Sequence, residues 1–317
     1  MKILANDGLS KTGIETLAAA GFTVLTTTVA QSQLENFINE EAIDALLVRS
    51  TTQVHAELID ACPSLKLIGR GGVGMDNIDV DYAINNGLHI INTPEASTNS
   101  VAELVFAHLF GMARFLHQLN REMPLEGDSR FKELKRDFGN GVELRGKTLG
   151  IIGFGRIGQA VAKIALGVGM KVIATDDAVG KASINVPFYN DQSIDISIET
   201  EPVNDVLKHA DFITLHIPSQ ENYVLGAKEF ELMKEGVGII NTARGGVLDE
   251  VALVNAIESG KVQFAGLDVF ETEPNPEIQL LMNPEISLTP HIGAATVEAQ
   301  ERIGKELATQ IIALLKE

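Results

Sequence analysis

The stretch Thr148-Leu-Gly-Ile-Ile-Gly153-Phe-Gly155-Arg-Ile-Gly158 leaves this chain few folds to choose from. An apolar run (Leu149, Ile151, Ile152) reads as a strand, a glycine turn follows, and a helical segment from Gln159 to Gly167 begins at once. Gly153 lets the chain turn tightly off the strand. Gly155 presents no side chain to a pyrophosphate, and Gly158 lets the helix pack close to the sheet. The phosphates would then meet the unpaired N–H groups and the positive dipole end of that helix. Lys171 to Asp176 reads as the next strand, so Asp176 closes a βαβ unit 18 residues after Gly158. A carboxylate there accepts hydrogen bonds from an adenosine ribose and repels a 2′-phosphate, which predicts NAD over NADP. A glycine motif alone is weak evidence; the strand before it, the helix after it and the acid at this distance make it specific.

At 317 residues the chain is long enough for two domains, each with its own core. The formal charge of −18 argues against binding nucleic acid through a broad basic surface. An anionic small-molecule substrate must therefore find a local cationic pocket, which makes single arginines informative. The one cysteine, Cys62, excludes an internal disulfide and a clustered thiolate metal site, and suits a small packed side chain. The histidines show no metal-ligand spacing, and His108 and His117 on an apolar helix read as packing residues. Met1-Lys-Ile-Leu-Ala goes straight into a strand without the pattern of a signal peptide, and no apolar run approaches the roughly 20 residues that span a bilayer. The expectation is a cytoplasmic enzyme with neither membrane nor nucleic-acid partner.

Short apolar runs alternate with helical patterns along the first hundred residues. Ile3–Ala5, Phe22–Leu25, Ala45–Val48, Leu67–Ile68 and His89–Ile91 read as strands, with helices at Lys11–Ala20, Gln31–Asn39, His55–Ala61 and Val80–Asn86. One long apolar helix is expected from Ser97 to about Asn120, then a polar stretch from Arg121 to Asn140. A second rhythm follows at Thr148–Ile152, Lys171–Thr175, Phe212–His216, Gly238–Asn241, Phe264–Leu267 and Ile286–Leu288. Ser193–Glu199 alternates strictly and reads as an exposed strand within an insertion. The last helix, Thr296–Leu315, is expected to return to the first domain. The fold class is thus α/β: a Rossmann doubly wound parallel sheet (99–290) inserted into a second, flavodoxin-like α/β domain (1–98 and 291–317).

Three residues lie just past strands of the second rhythm. Arg244 stands in Asn241-Thr-Ala-Arg-Gly-Gly, Glu273 in Asp268-Val-Phe-Glu-Thr-Glu-Pro274, and His291 in Thr289-Pro-His-Ile-Gly-Ala-Ala-Thr296. In an open parallel sheet the ligand crevice lies at the carboxyl ends of the strands, so the three are placed to converge. Beside NAD, such a set suits oxidation of a secondary alcohol. A base must take the hydroxyl proton as hydride leaves carbon, and imidazole, with a reference pKa of about 6.5, suits that work. A carboxylate on the other ring nitrogen fixes the tautomer. A guanidinium fork holds a substrate carboxylate and polarises the adjacent carbonyl.

The order GFGRIG, NTARGG, DVFETEP, TPHIGAAT resembles the D-isomer-specific 2-hydroxyacid dehydrogenase family over nearly the whole chain. The resemblance implies that His291 is the acid/base, Glu273 its partner and Arg244 the substrate anchor. It also implies that Asp268 binds the nicotinamide carboxamide and that the segment reaching His216, Ile217 and Pro218 lines the adenosine site. Arg156 and Ile157 within the glycine motif, Thr242 and Ala243, and Gly293 and Ala294 complete the expected NAD contacts. Members of the family are usually homodimers pairing through the nucleotide domain, and the apolar Val101–Leu116 run fits such a contact.

The first domain narrows the substrate. Val48-Arg49-Ser50-Thr51-Thr52 and Gly69-Arg70-Gly-Gly72-Val73-Gly74-Met-Asp76-Asn77 follow two strand ends. Backbone N–H groups around Gly72 to Gly74 would hold a carboxylate. Arg49 and Arg70 add two cations to the same rim, which suits a second anion such as a phosphate. Ser50 and Val73 belong to the same rim. These segments resemble those of family members that oxidise 3-phospho-D-glycerate to 3-phosphooxypyruvate in serine biosynthesis, whereas glyoxylate and hydroxypyruvate reductases usually lack the arginine pair. Asn92 to Ser100 resembles the family hinge, with Asn99 on the substrate side. A further cation would come from Arg130, Lys132, Lys135 or Arg136. Because the chain stops one helix past His291, feedback control through a C-terminal regulatory domain is not expected. The rival readings are another 2-hydroxyacid reductase of this family and an NAD(H)-sensing co-repressor-like scaffold.

Overall fold

The computed structural model describes residues 1–316. Two compact units emerge: Met1–Ser100 together with the chain from Ala294 onward, and Val101–Gly293. The sequence put His291 in the outer domain; its contacts place it in the second unit instead.

Unit 1 holds five parallel strands, β1 (Lys2–Ala5), β2 (Thr23–Leu25), β3 (Ala45–Val48), β4 (Leu67–Arg70) and β5 (His89–Asn92), in the order β2-β1-β3-β4-β5. This is the flavodoxin-like order. Helices α1 (Lys11–Ala19), α2 (Gln31–Glu41), α3 (Ala56–Ala61) and α4 (Val80–Asn85) alternate with the strands in sequence. Both faces of the sheet are buried, so neighbouring strand residues serve different cores. Ile3, Ala5, Ala45 and Leu47 point to one, and Leu4, Leu46 and Val48 to the other. Cys62 is buried just past α3, where burial pushes its thiol up to about 11 and leaves it unreactive.

The C-terminal helix α13 (Val297–Leu315) belongs to unit 1 and packs on α1. Thr296 caps it, its hydroxyl accepting the Ala299 N–H at 3.1 Å. The crossing is close because two glycines meet: a methyl on Gly13 would stand 2.9 Å from the backbone of Gly304.

Unit 2 holds six parallel strands in the order β13-β12-β11-β10-β6-β7. They are β6 (Thr148–Ile152), β7 (Lys171–Thr175), β10 (Phe212–Leu215), β11 (Val237–Asn241), β12 (Val262–Leu267) and β13 (Ile286–Leu288). The order reverses between β6 and β10, the switch point where such sheets bind ligands. Again the strands feed two cores, with Ile213 and Leu215 on one face and Phe212, Leu149 and Ile151 on the other. Helices α8 (Arg156–Val168), α9 (Val203–His209), α10 (Ala227–Leu232), α11 (Glu250–Glu258) and α12 (Ile278–Leu281) intervene. The Ser193–Glu199 alternation is β9, paired antiparallel with β8 (Lys181–Pro187). Ile196 and Ile198 pack with Ile184 against the core, and Ser193, Asp195, Ser197 and Glu199 face solvent.

The single helix expected from Ser97 to Asn120 is two. α5 (Thr98–Ala113) ends, Phe115 turns through φ 56°, and α6 (Leu116–Glu126) begins, with α7 (Phe131–Asp137) inside the polar stretch. A left-handed residue costs about 1–2 kcal/mol, but the turn buries the Phe115 ring 5.7 Å from Phe138 and 6.0 Å from Phe264. Burying a phenylalanine is worth about 1.5–3 kcal/mol, so the break is sustained by packing. The apolar run proposed as a pairing surface is largely consumed by this unit's own core: Val105, Leu109 and Met112 are fully buried, while Phe110 and Leu116 stay exposed. Among the described residues no helix is long and apolar enough to cross a membrane, and no His/Cys/Asp/Glu group could hold a metal ion.

The glycine crossing sets a test of packing against propensity. Gly13→Ala should gain up to about 1 kcal/mol of helix propensity yet lose about 1–3 kcal/mol to overpacking against Gly304. The expected result in urea denaturation is a net loss of about 1–2 kcal/mol; a gain would show that α1 and α13 separate freely.

Candidate active site

The glycine turn sits at the carboxyl end of β6, beside the switch point. Gly153 has φ 94°, and a Cβ on it would lie 2.5 Å from the carbonyl oxygen of His216 on the neighbouring strand end. A Cβ on Gly158 would strike the Gly153 carbonyl, whereas one on Gly155 would project into open space. That opening, over the first turn of α8, is the cradle a pyrophosphate needs. α8 starts at Arg156 rather than Gln159 and has no side-chain cap, so Arg156, Ile157 and Gly158 form the turn whose N–H groups face outward along the helix axis.

Asp176 ends this βαβ unit, but its carboxylate already serves the backbone. Oδ2 accepts the Phe154 N–H at 2.6 Å, and Oδ1 accepts those of Ala178 and Val179 at 2.8 Å each. Burial works to raise its pKa; the three N–H donors outweigh that and hold it below the ordinary carboxylate range. Asp176 therefore ties the glycine turn to the end of β7 as an anion with lone pairs to spare for ribose hydroxyls. Past β10, His216 hydrogen-bonds Thr214 through Nε2 at 2.9 Å, and burial pushes its pKa down to about 3. Its Nδ1 and the hydroxyl of Thr242, past β11, are buried polar atoms with no protein partner. Ile217 is half-buried and Pro218 exposed beside it. This combination of open cradle and unmet polar atoms at adjacent strand ends fits a dinucleotide.

The chemistry-bearing side chains meet one strand further on. His291 Nδ1 lies 2.8 Å from Glu273 Oε2, and Glu273 Oε1 accepts the Phe270 N–H at 3.1 Å. Burial works against the Glu273 charge, but the His291 hydrogen bond and charge, the Phe270 N–H and the Arg244 charge together hold its pKa below the usual value. Since an ionised Glu273 can only accept, Nδ1 of His291 carries a proton, and in the neutral ring Nε2 is the basic nitrogen. Arg244 donates to the Ala243 carbonyl at 2.6 Å. Asn241, which is 1% exposed, builds that turn: its amide accepts from Ala243 N–H and donates to the Arg244 carbonyl.

His291 itself stands at φ 52°, a strained place for a residue with a Cβ. Asp268 holds it there. The Asp268 carbonyl accepts the His291 N–H at 2.8 Å, and its buried carboxylate collects Thr289 Oγ1 (2.7 Å), Ile292 N–H (2.8 Å) and Gly293 N–H (2.9 Å). Burial raises the Asp268 pKa beyond what those donors and the His291 charge can offset. Both Asp268 oxygens are thus engaged within the protein, a role its sequence position did not announce. Ala294 opens the return to unit 1, its carbonyl accepting from Gln300.

A second pair of carboxylates braces the same loop. Glu250 Oε1 accepts the Glu271 N–H at 2.8 Å while Glu271 Oε1 accepts the Glu250 N–H at 3.0 Å, and Tyr223 donates to Glu271 Oε2. Glu250 is 6% exposed; burial, reinforced by the charges of Glu271, Glu277 and Glu273 and opposed by the Glu271 N–H, pushes its pKa up to about 7.

In unit 1, Arg49 follows β3 and Arg70 ends the neighbouring β4. The Arg49 side chain lies over Gly71 and the Arg70 guanidinium over Gly72. Asn77, buried and unremarked in the sequence, fastens them: its amide donates to the Arg49 and Thr52 carbonyls (2.9 and 2.6 Å) and accepts from Arg70 Nε (3.3 Å). Asp7 accepts from Arg49 N–H, Thr52 N–H and the Thr52 hydroxyl. Of the N–H groups assigned to an anion, that of Gly72 is committed to the Arg70 carbonyl, while those of Val73 and Gly74 bond to no protein acceptor among the described residues. Ser50 is exposed on this rim. Asn99 lines a cavity with Asn92, Arg302 and Lys305, and Asn92 donates from its side chain to the Val73 carbonyl of the rim at 2.8 Å. Arg130 is paired with Glu126 and Glu133, and Arg136 with Asp137, all on the exposed surface.

Residues 106–293 match the family described as D-isomer specific 2-hydroxyacid dehydrogenase, NAD binding domain. The chain is 45% identical over 274 residues to a hydroxypyruvate reductase of Thermotoga maritima, covering 85% of this chain and 84% of that one. It is 39% identical over 318 residues to a D-3-phosphoglycerate dehydrogenase of Methanocaldococcus jannaschii, of whose length it spans 58%. The crystal structure of D-lactate dehydrogenase from Aquifex aeolicus complexed with NAD and lactic acid superposes with a TM-score of 0.77 at 29% identity, covering 100% of this chain and 96% of that one.

The Glu250–Glu271 brace generates a pH test. A carboxyl whose pKa rises from 4.5 to about 7 on folding binds more protons folded than unfolded between those values. Its contribution is therefore fully present below about pH 4.5 and lost as pH climbs through 7. Glu250→Gln keeps the acceptor for Glu271 N–H and removes the charge. Urea melts should show it about 1–3 kcal/mol more stable than the parent at pH 8 and equal at pH 4.5. A constant difference at both pH values would refute the buried charge.

Proposed function

Because the chain belongs to the D-isomer specific 2-hydroxyacid dehydrogenase family, we propose that it interconverts 3-phospho-D-glycerate and 3-phosphooxypyruvate with NAD, the oxidation that opens serine biosynthesis. The observation that carries the phosphate is the Arg49–Arg70 pair held on one rim by Asn77. A carboxylate and a carbonyl need one guanidinium, which Arg244 supplies; two further cations suit a doubly charged group. The 39% identity to a D-3-phosphoglycerate dehydrogenase agrees, and the 45% identity to a hydroxypyruvate reductase favours the rival substrate.

When bound, NAD supplies the hydride acceptor at nicotinamide C4. Gly153, Gly155 and the first turn of α8, with Arg156, Ile157 and Gly158, hold the pyrophosphate. Asp176 receives the ribose hydroxyls. His216, Ile217 and Pro218 line the adenosine side, and Thr242, Ala243, Asp268, Gly293 and Ala294 line the nicotinamide side. His291 Nε2 takes the hydroxyl proton of the 2-hydroxyacid, and Glu273, ionised, stabilises the imidazolium that results. In the reverse direction the same Nε2–H protonates the ketone oxygen. In unit 2, Arg244 would clamp the C1 carboxylate; in unit 1, Arg49 and Arg70, bordered by Ser50, Val73 and Gly74, would hold a phosphate, and Gly72 shapes that turn. Asn99 belongs to the hinge of this scheme.

NADH consumption with 3-phosphohydroxypyruvate and with hydroxypyruvate decides between the substrates. Arg49→Ala and Arg70→Ala should each raise KM for the phosphorylated substrate about 10- to 100-fold and leave hydroxypyruvate within about threefold. His291→Asn should cut kcat for both by about 10²–10⁴. Equal damage to both substrates from the arginine variants would sink the phosphate assignment. Absence of NADH oxidation with every 2-oxoacid tried would turn the reading toward a sensing scaffold.

We include a homodimer in this reading, paired through the faces of α5 to α7 where Phe110, Leu116, Leu125 and Phe131 are exposed. Light scattering should give twice the 34.1 kDa chain mass, and Leu125→Glu with Phe131→Glu should halve it. A monomeric parent protein contradicts the pairing.

A further inference from the structure

α5 turns an apolar side to the core of unit 2, with one exception. His108 is 3% exposed among Val105, Leu109 and Met112, yet both of its ring nitrogens are bonded. Nδ1 lies 2.9 Å from Ser287 Oγ on β13, and Nε2 lies 3.1 Å from Thr289 Oγ1 just beyond that strand. The ring owes its room to Gly266 of β12, where a Cβ would stand 2.9 Å from the His108 Cβ and 3.0 Å from its Cγ. Thr289 Oγ1 is also 2.7 Å from Asp268 Oδ1, the carboxylate that holds Ile292 and Gly293 beside His291.

The direction of these bonds can be deduced. Asp268 receives two backbone N–H groups as well as Thr289, so its carboxylate acts as an acceptor and the Thr289 hydroxyl spends its only hydrogen on it. Thr289 Oγ1 must then accept from His108, which places a proton on Nε2. Burial pushes the His108 pKa down to about 4, so the ring is neutral, holds no second proton, and takes the Ser287 hydroxyl hydrogen at Nδ1. Hydrogens therefore point one way along the chain, from Ser287 through His108 and Thr289 to Asp268.

We propose that His108 is a positioning residue for the nicotinamide end of the site, orienting through Thr289 the Asp268 carboxylate that holds the His291 loop. The inference rests on the reading that Asp268 contacts the nicotinamide carboxamide. A core histidine kept only for packing would be replaceable by leucine without effect on a ligand. A positioning histidine acts on one half of the dinucleotide. In that reading the adenosine half falls to β6, α8, β7 and the segment past β10, none of which carries a member of this chain of bonds.

The test compares NADH, titrated by its fluorescence, with ADP-ribose, which lacks the nicotinamide and is titrated by calorimetry. His108→Leu and Thr289→Val should each weaken NADH binding about tenfold while ADP-ribose stays within about twofold. The double variant should be no weaker than either single one, because one chain has been cut twice. His108→Gln, whose amide N–H reaches the Nε2 position, should bind NADH within about twofold of the parent. The ¹⁵N spectrum of the parent should show His108 neutral with Nε2 protonated. Equal losses for NADH and ADP-ribose, no loss for either, a glutamine variant as poor as leucine, or an Nδ1–H ring would each overturn the proposal. Asp268→Asn separates the two layers. If it leaves NADH affinity intact, the assignment of Asp268 to the nicotinamide falls; if it weakens NADH while His108→Leu does not, only the role of His108 falls.

Discussion

A buried carboxylate governs the chemistry-bearing end of this protein. Asp268 is 1% exposed, and an unpaired charge so placed would be strongly unfavourable. Its three donors answer that cost, and each belongs to the loop that must be held: Thr289, Ile292 and Gly293 bracket His291. The desolvated anion can keep its partners only if the loop stays closed around it. His291 is thereby kept at a positive φ that a free loop would leave, with its ring against Glu273.

Unit 1 uses the same device with neutral and charged groups. The guanidinium of Arg70 is placed by Asn77, whose amide also grips the carbonyls of Arg49 and Thr52, and Asp7 receives the N–H groups of that same turn. In both units the candidate ligand-binding residues stand at or near strand ends, where polar side chains such as Asn77 and Asp268 tie the chain down by hydrogen bonds. Glu250 and Glu271 do this reciprocally, each carboxylate accepting the other's backbone N–H. Rigidity of this kind matters because hydride and proton transfers tolerate little misplacement.

The parts legible in sequence were those set by local pattern. Apolar runs of two to five residues located the strands of both sheets to within about two residues, because fully buried parallel strands carry continuous hydrophobic sequence. The glycine spacing located the turn after β6, and the strict alternation of Ser193–Glu199 predicted a strand whose isoleucines share a face. The break at Phe115 was invisible, since nothing in Ala113-Arg-Phe-Leu forbids a helix; the pull comes from Phe138 and Phe264, distant in sequence. Asp176 and Asp268 were recognised as important carboxylates, but their backbone partners were hidden for the same reason.

By itself, then, the sequence determined the α/β class and the glycine turn and singled out His291, Glu273 and Arg244 as candidates, because residue type and spacing encode strand, turn and proton affinity locally. Only the tertiary structure decided which groups meet. The pairing of His291 with Glu273, the commitment of the Asp176 and Asp268 oxygens, the placing of Arg49 and Arg70 by Asn77, and the bonding of both nitrogens of His108 all join residues from different elements and loops. A hydrogen bond acts over about 3 Å, and only the completed fold brings such groups that close.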